Sequence, residues 1–244
     1  MTVINFSSLP QRTLADIVTG DARTARVFDR LGLDYCCHGQ RSLSEAVSDR
    51  GLALSDVVGE LTTLGPRVAG QPGEAWDDLS ALTSHIVTRH HAYVREMQPQ
   101  ITAWLAKLVQ RHGARHSELA DVQQTFAQLS DELLTHMTKE EKILFPYINV
   151  LVAALRSGSR LPPSPFGTIV NPIRVMEIDH EGAGDLSARL RELTRNFEPP
   201  PDACTTYRLC YQELERFEAD LHQHVHLENN ILFPRAIVLE DELS

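Results

Sequence analysis

One short motif occurs twice in this chain, and each copy places a histidine and a glutamate four positions apart. The first copy, HMTKEEKILFP, begins at His136 and contains Glu140, while the second, HVHLENNILFP, begins at His224 and contains Glu228. Residues four apart on a helix lie one turn apart on the same face. Two such faces packed together bring two imidazoles and two carboxylates to one place, which predicts a site for two metal ions.

The repeat extends beyond the motif. His91 precedes His136, and His180 precedes His224, by nearly the same number of residues. Each half of the chain then supplies one helix with a single histidine and one helix with the pair, and two halves facing each other deliver four histidines and two glutamates. His112 is in helical phase with His91 and adds a fifth imidazole only if its helix ends near the metals or bends back.

Other histidines are less informative. His90 also falls on an apolar stripe, so spacing alone leaves His90 and His91 open as ligands. His222 and His226 flank His224 at two residues, and we expect both to point away from the site. A duplicated bundle that binds no metal remains the alternative interpretation.

The ligand types restrict the metal. Imidazole with carboxylate suits iron, manganese or zinc, and the lack of thiolates argues against a structural zinc site. Two glutamates can each bridge two metals. The order H-x-x-x-E makes the site richer in histidine than the E-x-x-H sites of helical di-iron proteins, which favours binding of oxygen or nitric oxide over iron storage.

Helical periodicity is widespread and strand patterns are nearly absent, which predicts an all-α protein. A segment rich in glycine and proline, Gly65–Gly73, separates a small N-terminal part from four long helical stretches. The small part comprises short helices at Thr13–Thr19, Asp21–Leu31, Leu43–Arg50 and Leu54–Leu64. The long stretches are 75–111, 117–155, 171–196 and 203–240, and they predict an antiparallel four-helix bundle.

The inward faces of two of these helices contain the ligand candidates. One inward stripe runs through Leu129, Leu133, His136, Glu140 and Ile143. A glutamate that faces a core is costly unless it is paired, protonated or bound to a metal. The two ILFP segments are interpreted as core packing, and their prolines should bend or end each helix one turn past the ligands.

Composition excludes several classes of protein. The 244 residues are 42% hydrophobic and 23% charged, with a net charge of −10, which argues against nucleic acid as a partner. We expect no membrane span, because no apolar run approaches the ~20 residues that a membrane helix needs. The first residues do not resemble a secretion signal, so a cytoplasmic protein is expected.

The four cysteines are expected to be reduced, because Cys36 and Cys37 are neighbours and Cys204 and Cys210 form no metal motif. The segment Leu33–Gly39 (LDYCCHG) is interpreted either as a reactive or metal-binding loop or as a tight turn with buried cysteines, and both remain open. In the first case a nearby helix N-terminus would favour the thiolate.

Together, these motifs resemble a known family. LDYCCHG, followed by a bundle with HMTKEEKILFP, VMEIDH, PPPDACTT and LENNILFP, is similar to the iron–sulfur cluster repair proteins, also called Repair of Iron Centers or ScdA-type di-iron proteins. The resemblance covers almost the whole chain. It implies an N-terminal domain at 1–66 with the vicinal cysteines and a hemerythrin-like four-helix bundle at 74–241.

The resemblance also implies functional residues. The metal ligands would be His91, His112, His136, Glu140, His180, His224 and Glu228. They would hold two non-haem iron ions bridged by the carboxylates of Glu140 and Glu228, with an oxo bridge in the oxidised state. Cys36 and Cys37 would assist iron or cluster handling.

The implied role is a stress response in which iron–sulfur clusters damaged by nitric oxide or oxidants are repaired with iron from a labile di-iron centre. Damaged iron–sulfur proteins would be the partners, with nitric oxide or oxygen as small ligand. Binding of nitric oxide, or its reduction as an enzyme, is the alternative. The sequence leaves the oligomeric state open, a homodimer included.

Overall fold

The structure, a computed structural model, describes residues 6–65, 76 and 78–244. It is all-α: four bundle helices carry a group of short N-terminal helices, and no β-strand occurs among the described residues. The predicted connection at 66–73 lies outside the described residues. The domain boundaries, 1–66 and 74–241, therefore stay a prediction.

The N-terminal part consists of a 3₁₀ helix at Phe6–Gln11 and four α-helices close to the predicted ones. These are α1 (Leu14–Gly20), α2 (Arg23–Leu31), α3 (Leu43–Asp49) and α4 (Leu54–Thr63). Thr13 caps α1, and Ser42 with Glu45 forms a capping box on α3. Gly32 ends α2 in the left-handed conformation at φ 65°.

The four bundle helices are long, and three of them contain a π-helical turn. The first is α5 (Leu79–His85), a π turn at Ile86–His91 and α6 (Ala92–His112). The second is α7 (Glu118–Lys139), a π turn at Glu140–Leu144 and α8 (Phe145–Ser157). The third is α9 (Val170–Leu193), and the fourth is α10 (Thr205–Leu227), a π turn at Glu228–Leu232 and α11 (Phe233–Leu243).

The ILFP prolines neither end nor break their helices. Pro146 and Pro234 lack an N–H, and the chain meets this by widening one turn, so that Phe145 N–H donates to the carbonyl of Glu140 and Phe233 N–H to that of Glu228. The wider turn shifts the helical phase. Ile143, which we expected to face inward, is therefore 51% exposed, whereas Leu144 is buried.

Two apolar clusters flank the middle of the bundle. In the second bundle helix, Met137 before Glu140 belongs to one cluster, and Leu144 after Glu140 belongs to the other. The first cluster also contains Phe28 and Tyr35 of the N-terminal part, so this part shares a core with the bundle. No helix in the described ranges is both long and apolar enough to cross a membrane.

Candidate metal centre

Six of the predicted ligands meet between the two apolar clusters. His91, His136, His180 and His224 come from the four different bundle helices, and Glu140 and Glu228 each begin a π turn. All six side chains are buried, and both carboxylates are 0% exposed. π turns recur at functional sites, and here they place the ligands within an otherwise apolar interior.

The six side chains form two groups of four. In the first group, His91 Nε2 lies 3.2 Å from His224 Nε2 and 3.2 Å from Glu140 Oε2, and His224 Nε2 lies 3.0 Å from Glu228 Oε1. In the second, His180 Nε2 lies 3.0 Å from His136 Nε2 and 3.0 Å from Glu228 Oε2, and His136 Nε2 lies 3.3 Å from Glu140 Oε1. Within each group, the ligand atoms all lie within 4.8 Å of one another.

Each glutamate divides its oxygens between the two groups, as a carboxylate that bridges two cations does. Both oxygens of Glu140 and Oε2 of Glu228 are buried without a hydrogen-bond donor in bonding geometry among the described residues. Leaving buried carboxylate oxygens unpaired is costly. Two cations placed at the two groups would remove that cost, so the residues present fit a pair of metal ions.

Outer hydrogen bonds orient three of the imidazoles. His91 Nδ1 lies 2.7 Å from Glu141 Oε1, His136 Nδ1 lies 3.2 Å from Asp179 Oδ2, and His180 Nδ1 lies 2.8 Å from Asn229 Oδ1. These acceptors fix the tautomer that turns Nε2 toward the centre, as outer partners of metal-binding histidines do. The Phe residues of the ILFP segments add stacking, Phe145 on His91 and Phe233 on His180.

The charges of the site shift its pKa values. Burial lowers the pKa of His136, but the nearby charge of Glu140 and the hydrogen bond to Asp179 outweigh it and raise this pKa to about 10. Burial raises the pKa of Glu228, but His224 and His180 outweigh it, so the pKa is held well below its usual range. Both glutamates are thus ionised at neutral pH, the state that binds metal.

His112 is not brought to this cluster. Its ring lies at the far end of α6, 5.6 Å from the ring of Tyr207 and 6.4 Å from that of His116. His91 and His112 stand at opposite ends of one continuous α-helix, about 30 Å apart at the rise of an α-helix. The chain does not bend back, so the site is built without the fifth imidazole.

His90 and His91 are both buried, and the structure separates their roles. His91 contributes Nε2 to the cluster, whereas His90 stacks behind His224, with ring centroids 5.6 Å apart. His222 and His226 point away from the centre, as expected, but toward the N-terminal part: His222 Nδ1 lies 2.8 Å from Asp29, and His226 packs on Tyr35.

The segment Leu33–Gly39, called the cysteine loop below, packs against the outer side of the centre. Cys37 Sγ is 3.8 Å from the carbonyl oxygen of His180, and the amide of Asn229 donates to the Cys36 carbonyl at 3.4 Å. The loop is tightly turned at Gly39, where a Cβ atom would come within 2.3 Å of the Tyr35 carbonyl. The segment is therefore a tight turn, with Cys36 buried and Cys37 partly exposed. The interpretation as a reactive or metal-binding loop stays a prediction.

The expected thiolate is not favoured at Cys36. Its hydrogen bond to Cys37, burial and the charge of Asp34 all raise the pKa of this thiol well above its usual range. Because Asp34 faces the sulfur where a cation or helix N-terminus would be needed, Cys36 is a thiol at neutral pH.

Sequence reasoning missed the outer acceptors Glu141, Asp179 and Asn229. Glu141 directly follows Glu140, Asn229 directly follows Glu228, and Asp179 directly precedes His180. Such adjacency to a ligand was the only signal available, because the contacts themselves join different helices.

Comparisons with known proteins agree with this geometry. Residues 82–236 match the family described as the hemerythrin HHE cation binding domain, and residues 10–65 match ScdA_N, a domain of unknown function. The iron-sulfur cluster repair protein YtfE of Escherichia coli O157:H7 is 34% identical over 230 residues, which cover 93% of this chain and 97% of the relative. Its namesake from Citrobacter koseri is 33% identical over 236 residues, which cover 96% of this chain and 100% of the relative. The chain belongs to the family of iron–sulfur cluster repair proteins that join an ScdA_N domain to a hemerythrin-type cation-binding bundle.

Proposed function

We propose that this protein holds two iron ions and supplies iron to iron–sulfur clusters damaged by nitric oxide or oxidants. The observation that carries the proposal is the division of the Glu140 and Glu228 oxygens between two histidine pairs. The names of the relatives support the repair role. We place the protein in the cytoplasm, where such client proteins are made.

The donor set suits iron that is to be released. Each group offers two imidazoles and two carboxylate oxygens, and soft thiolate ligands are absent from both. Iron bound there supplies redox chemistry between the ferrous and ferric states. Four protein donors leave further coordination positions open at each metal, which suits nitric oxide or oxygen as a small ligand.

Cys36 and Cys37 are proposed to handle iron or clusters outside the centre. Their Sγ atoms are 3.8 Å apart, and Asp34 Oδ1 lies 3.3 Å from Cys36 Sγ. Tetrahedral thiolate sites with bonds of about 2.3 Å place two sulfurs at nearly this separation. The three side chains can thus ligate one iron of a client cluster, since Cys37 is reachable from solvent.

The test is transfer of labelled iron. Full-length protein loaded with ⁵⁷Fe is mixed, without oxygen, with a nitrosylated [4Fe–4S] hydratase, whose activity and ⁵⁷Fe content are followed. We expect recovery with label in the rebuilt cluster, and loss of both with Glu140→Gln. Replacing Cys36 and Cys37 by serine should slow recovery, whereas the matched change at exposed Cys204 should not.

Two results would contradict the proposal. One is recovery of the hydratase without label, which would show that the iron comes from elsewhere. The other is catalytic formation of nitrous oxide from nitric oxide with no iron transfer, which would assign the protein to the alternative, enzymatic function.

A further inference from the structure

The sequence repeat pairs each ligand candidate in one half of the bundle with one in the other half. His91 corresponds to His180, His136 to His224, and Glu140 to Glu228. The outer residues correspond as well, because Glu141 accepts from His91 as Asn229 accepts from His180. If the halves were equivalent, the two metal positions would hold their ions equally.

The equivalence fails at one imidazole. His224 Nδ1 is buried without a hydrogen-bond partner among the described residues, whereas the other three ligand histidines each have an outer acceptor. The position that orients His136 is Asp179, the residue before His180. The corresponding residue before His91 is His90.

His90 does not replace the missing acceptor. Its ring lies parallel to that of His224, at an interplanar angle of 8°, and its Nδ1 faces Asp220 Oδ1 at 3.1 Å. The other oxygen of Asp220 is buried without a partner. A stacked ring neither fixes the tautomer of His224 nor increases the basicity of its Nε2, the two effects that an outer acceptor has on a metal-binding histidine.

Space is present on this side of the centre. A cavity of about 150 Å³ lies between α1, α2 and the bundle, and His90, Gln223 and Leu227 line it beside Thr19 and Ala22. His90 thus separates the unanchored ligand from a cavity large enough for several waters. On the other side, the imidazoles of His136 and His180 are held by Asp179 and Asn229, and Asn229 also donates to the cysteine loop.

From this asymmetry we infer that the two metal positions differ in lability: the ion held by His91 and His224 exchanges, and the ion held by His136 and His180 is retained. His224 is the ligand that dissociates first from the exchanging ion. His90 is the positioning residue, because it occupies the place of an outer acceptor and leaves the bond from His224 to the metal weak. The inference rests on the proposed two-iron centre and identifies which iron is supplied.

The experiment is release of Fe²⁺ from the full-length protein to an excess of a colorimetric ferrous chelator, without oxygen. The wild type should carry two irons per chain and release them in two phases of equal amplitude. Cys204→Ser, a change at an exposed cysteine outside the centre, should leave both phases unchanged.

Substitutions at the two corresponding positions should change one phase each. In His90→Asn the amide oxygen can accept from His224 while its NH₂ donates to Asp220, so the fast phase should slow 10- to 100-fold, the usual effect of an outer partner. Asp179→His should accelerate the slow phase by a similar factor. Glu177→His, an exposed change on the same helix, is the matched control.

Two irons released in a single phase would overturn the inference while the two-iron centre stands. So would an unchanged fast phase in a His90→Asn protein that still binds two irons. If that variant binds fewer, His90→Asp provides the same acceptor and the same prediction. One iron per wild-type chain would instead refute the proposed centre itself.

Discussion

Asn229 connects a metal ligand to the cysteine loop, and its removal should weaken metal binding. Its Oδ1 lies 2.8 Å from His180 Nδ1, and its Nδ2 donates to the Cys36 carbonyl. The neighbouring Asn230 donates to the carbonyls of Tyr35 and Cys36 at 3.2 and 3.1 Å, and among the described residues none of its hydrogen bonds goes to a ligand candidate. The two asparagines therefore separate orientation of the metal ligand from attachment of the loop.

The expected loss of metal affinity follows from these contacts. Asn229→Ala removes the outer acceptor of the buried His180 imidazole, and loss of such a partner weakens metal affinity about 10- to 100-fold, or about 1.4–2.8 kcal/mol. Asn229→Asp retains an acceptor and should recover most of this affinity. Asn230→Ala breaks two hydrogen bonds to the loop and should change metal affinity less than about threefold, because no ligand loses its orientation.

Competition with a chromophoric chelator, using Co²⁺ on the metal-free full-length chain, measures this affinity directly. Hydrogen exchange of the Leu33–Gly39 amides in the same samples reports attachment of the loop, which both alanine variants should loosen. Equal losses of affinity in the two variants would refute the reasoning, since the metal would then depend on the loop and not on the orientation of His180.

Four further predictions concern His136 and two sites away from the centre. Because the pKa of His136 is raised from 6.5 to about 10, metal binding at pH 7 should release its proton, which calorimetry in buffers of different ionisation enthalpy measures. The interaction of protonated His136 with Glu140 and Asp179 stabilises the metal-free protein fully below pH 6.5. Denaturant unfolding should show this contribution lost as the pH rises toward 10. Glu240→Ala removes the acceptor of the hydrogen bonds from Tyr147, Thr168 and Ile169. We therefore expect the free energy of unfolding, measured by thermal unfolding, to fall by about 3 kcal/mol with the metal content unchanged. Gly39→Ala should cost about 1–3 kcal/mol and loosen the cysteine loop in hydrogen exchange, because its Cβ would meet the Tyr35 carbonyl.

Much of the fold follows from local sequence signals. Glycine and proline mark the helix ends, and apolar periodicity identifies the four bundle helices to within a few residues. Four of the six clustered residues, those of the two H-x-x-x-E pairs, could be predicted because a duplicated motif reports helix phase twice. His180 followed from the spacing of the larger repeat, whereas His91 was identified by the family resemblance. Helical phase wrongly predicted that Ile143 faces inward, because nothing in the apolar ILFP run indicates that Glu140–Leu144 forms a π turn.

What could not be predicted depends on contacts between helices. His112 shares a face with His91, but shared phase says nothing about distance along the axis. Spacing could not choose between His90 and His91, because the π turn that contains both buries both. The outer acceptors and the unpartnered Nδ1 of His224 emerge only once four helices are packed around one point.

Iron stoichiometry tests the central claim most directly. Full-length protein purified without oxygen should contain two irons per chain, and after oxidation its Mössbauer spectrum should show one antiferromagnetically coupled pair. Glu140→Gln should lower the iron content, because Glu140 offers one carboxylate oxygen to each of the two groups. One iron per chain, or two irons with no magnetic coupling, would contradict the account.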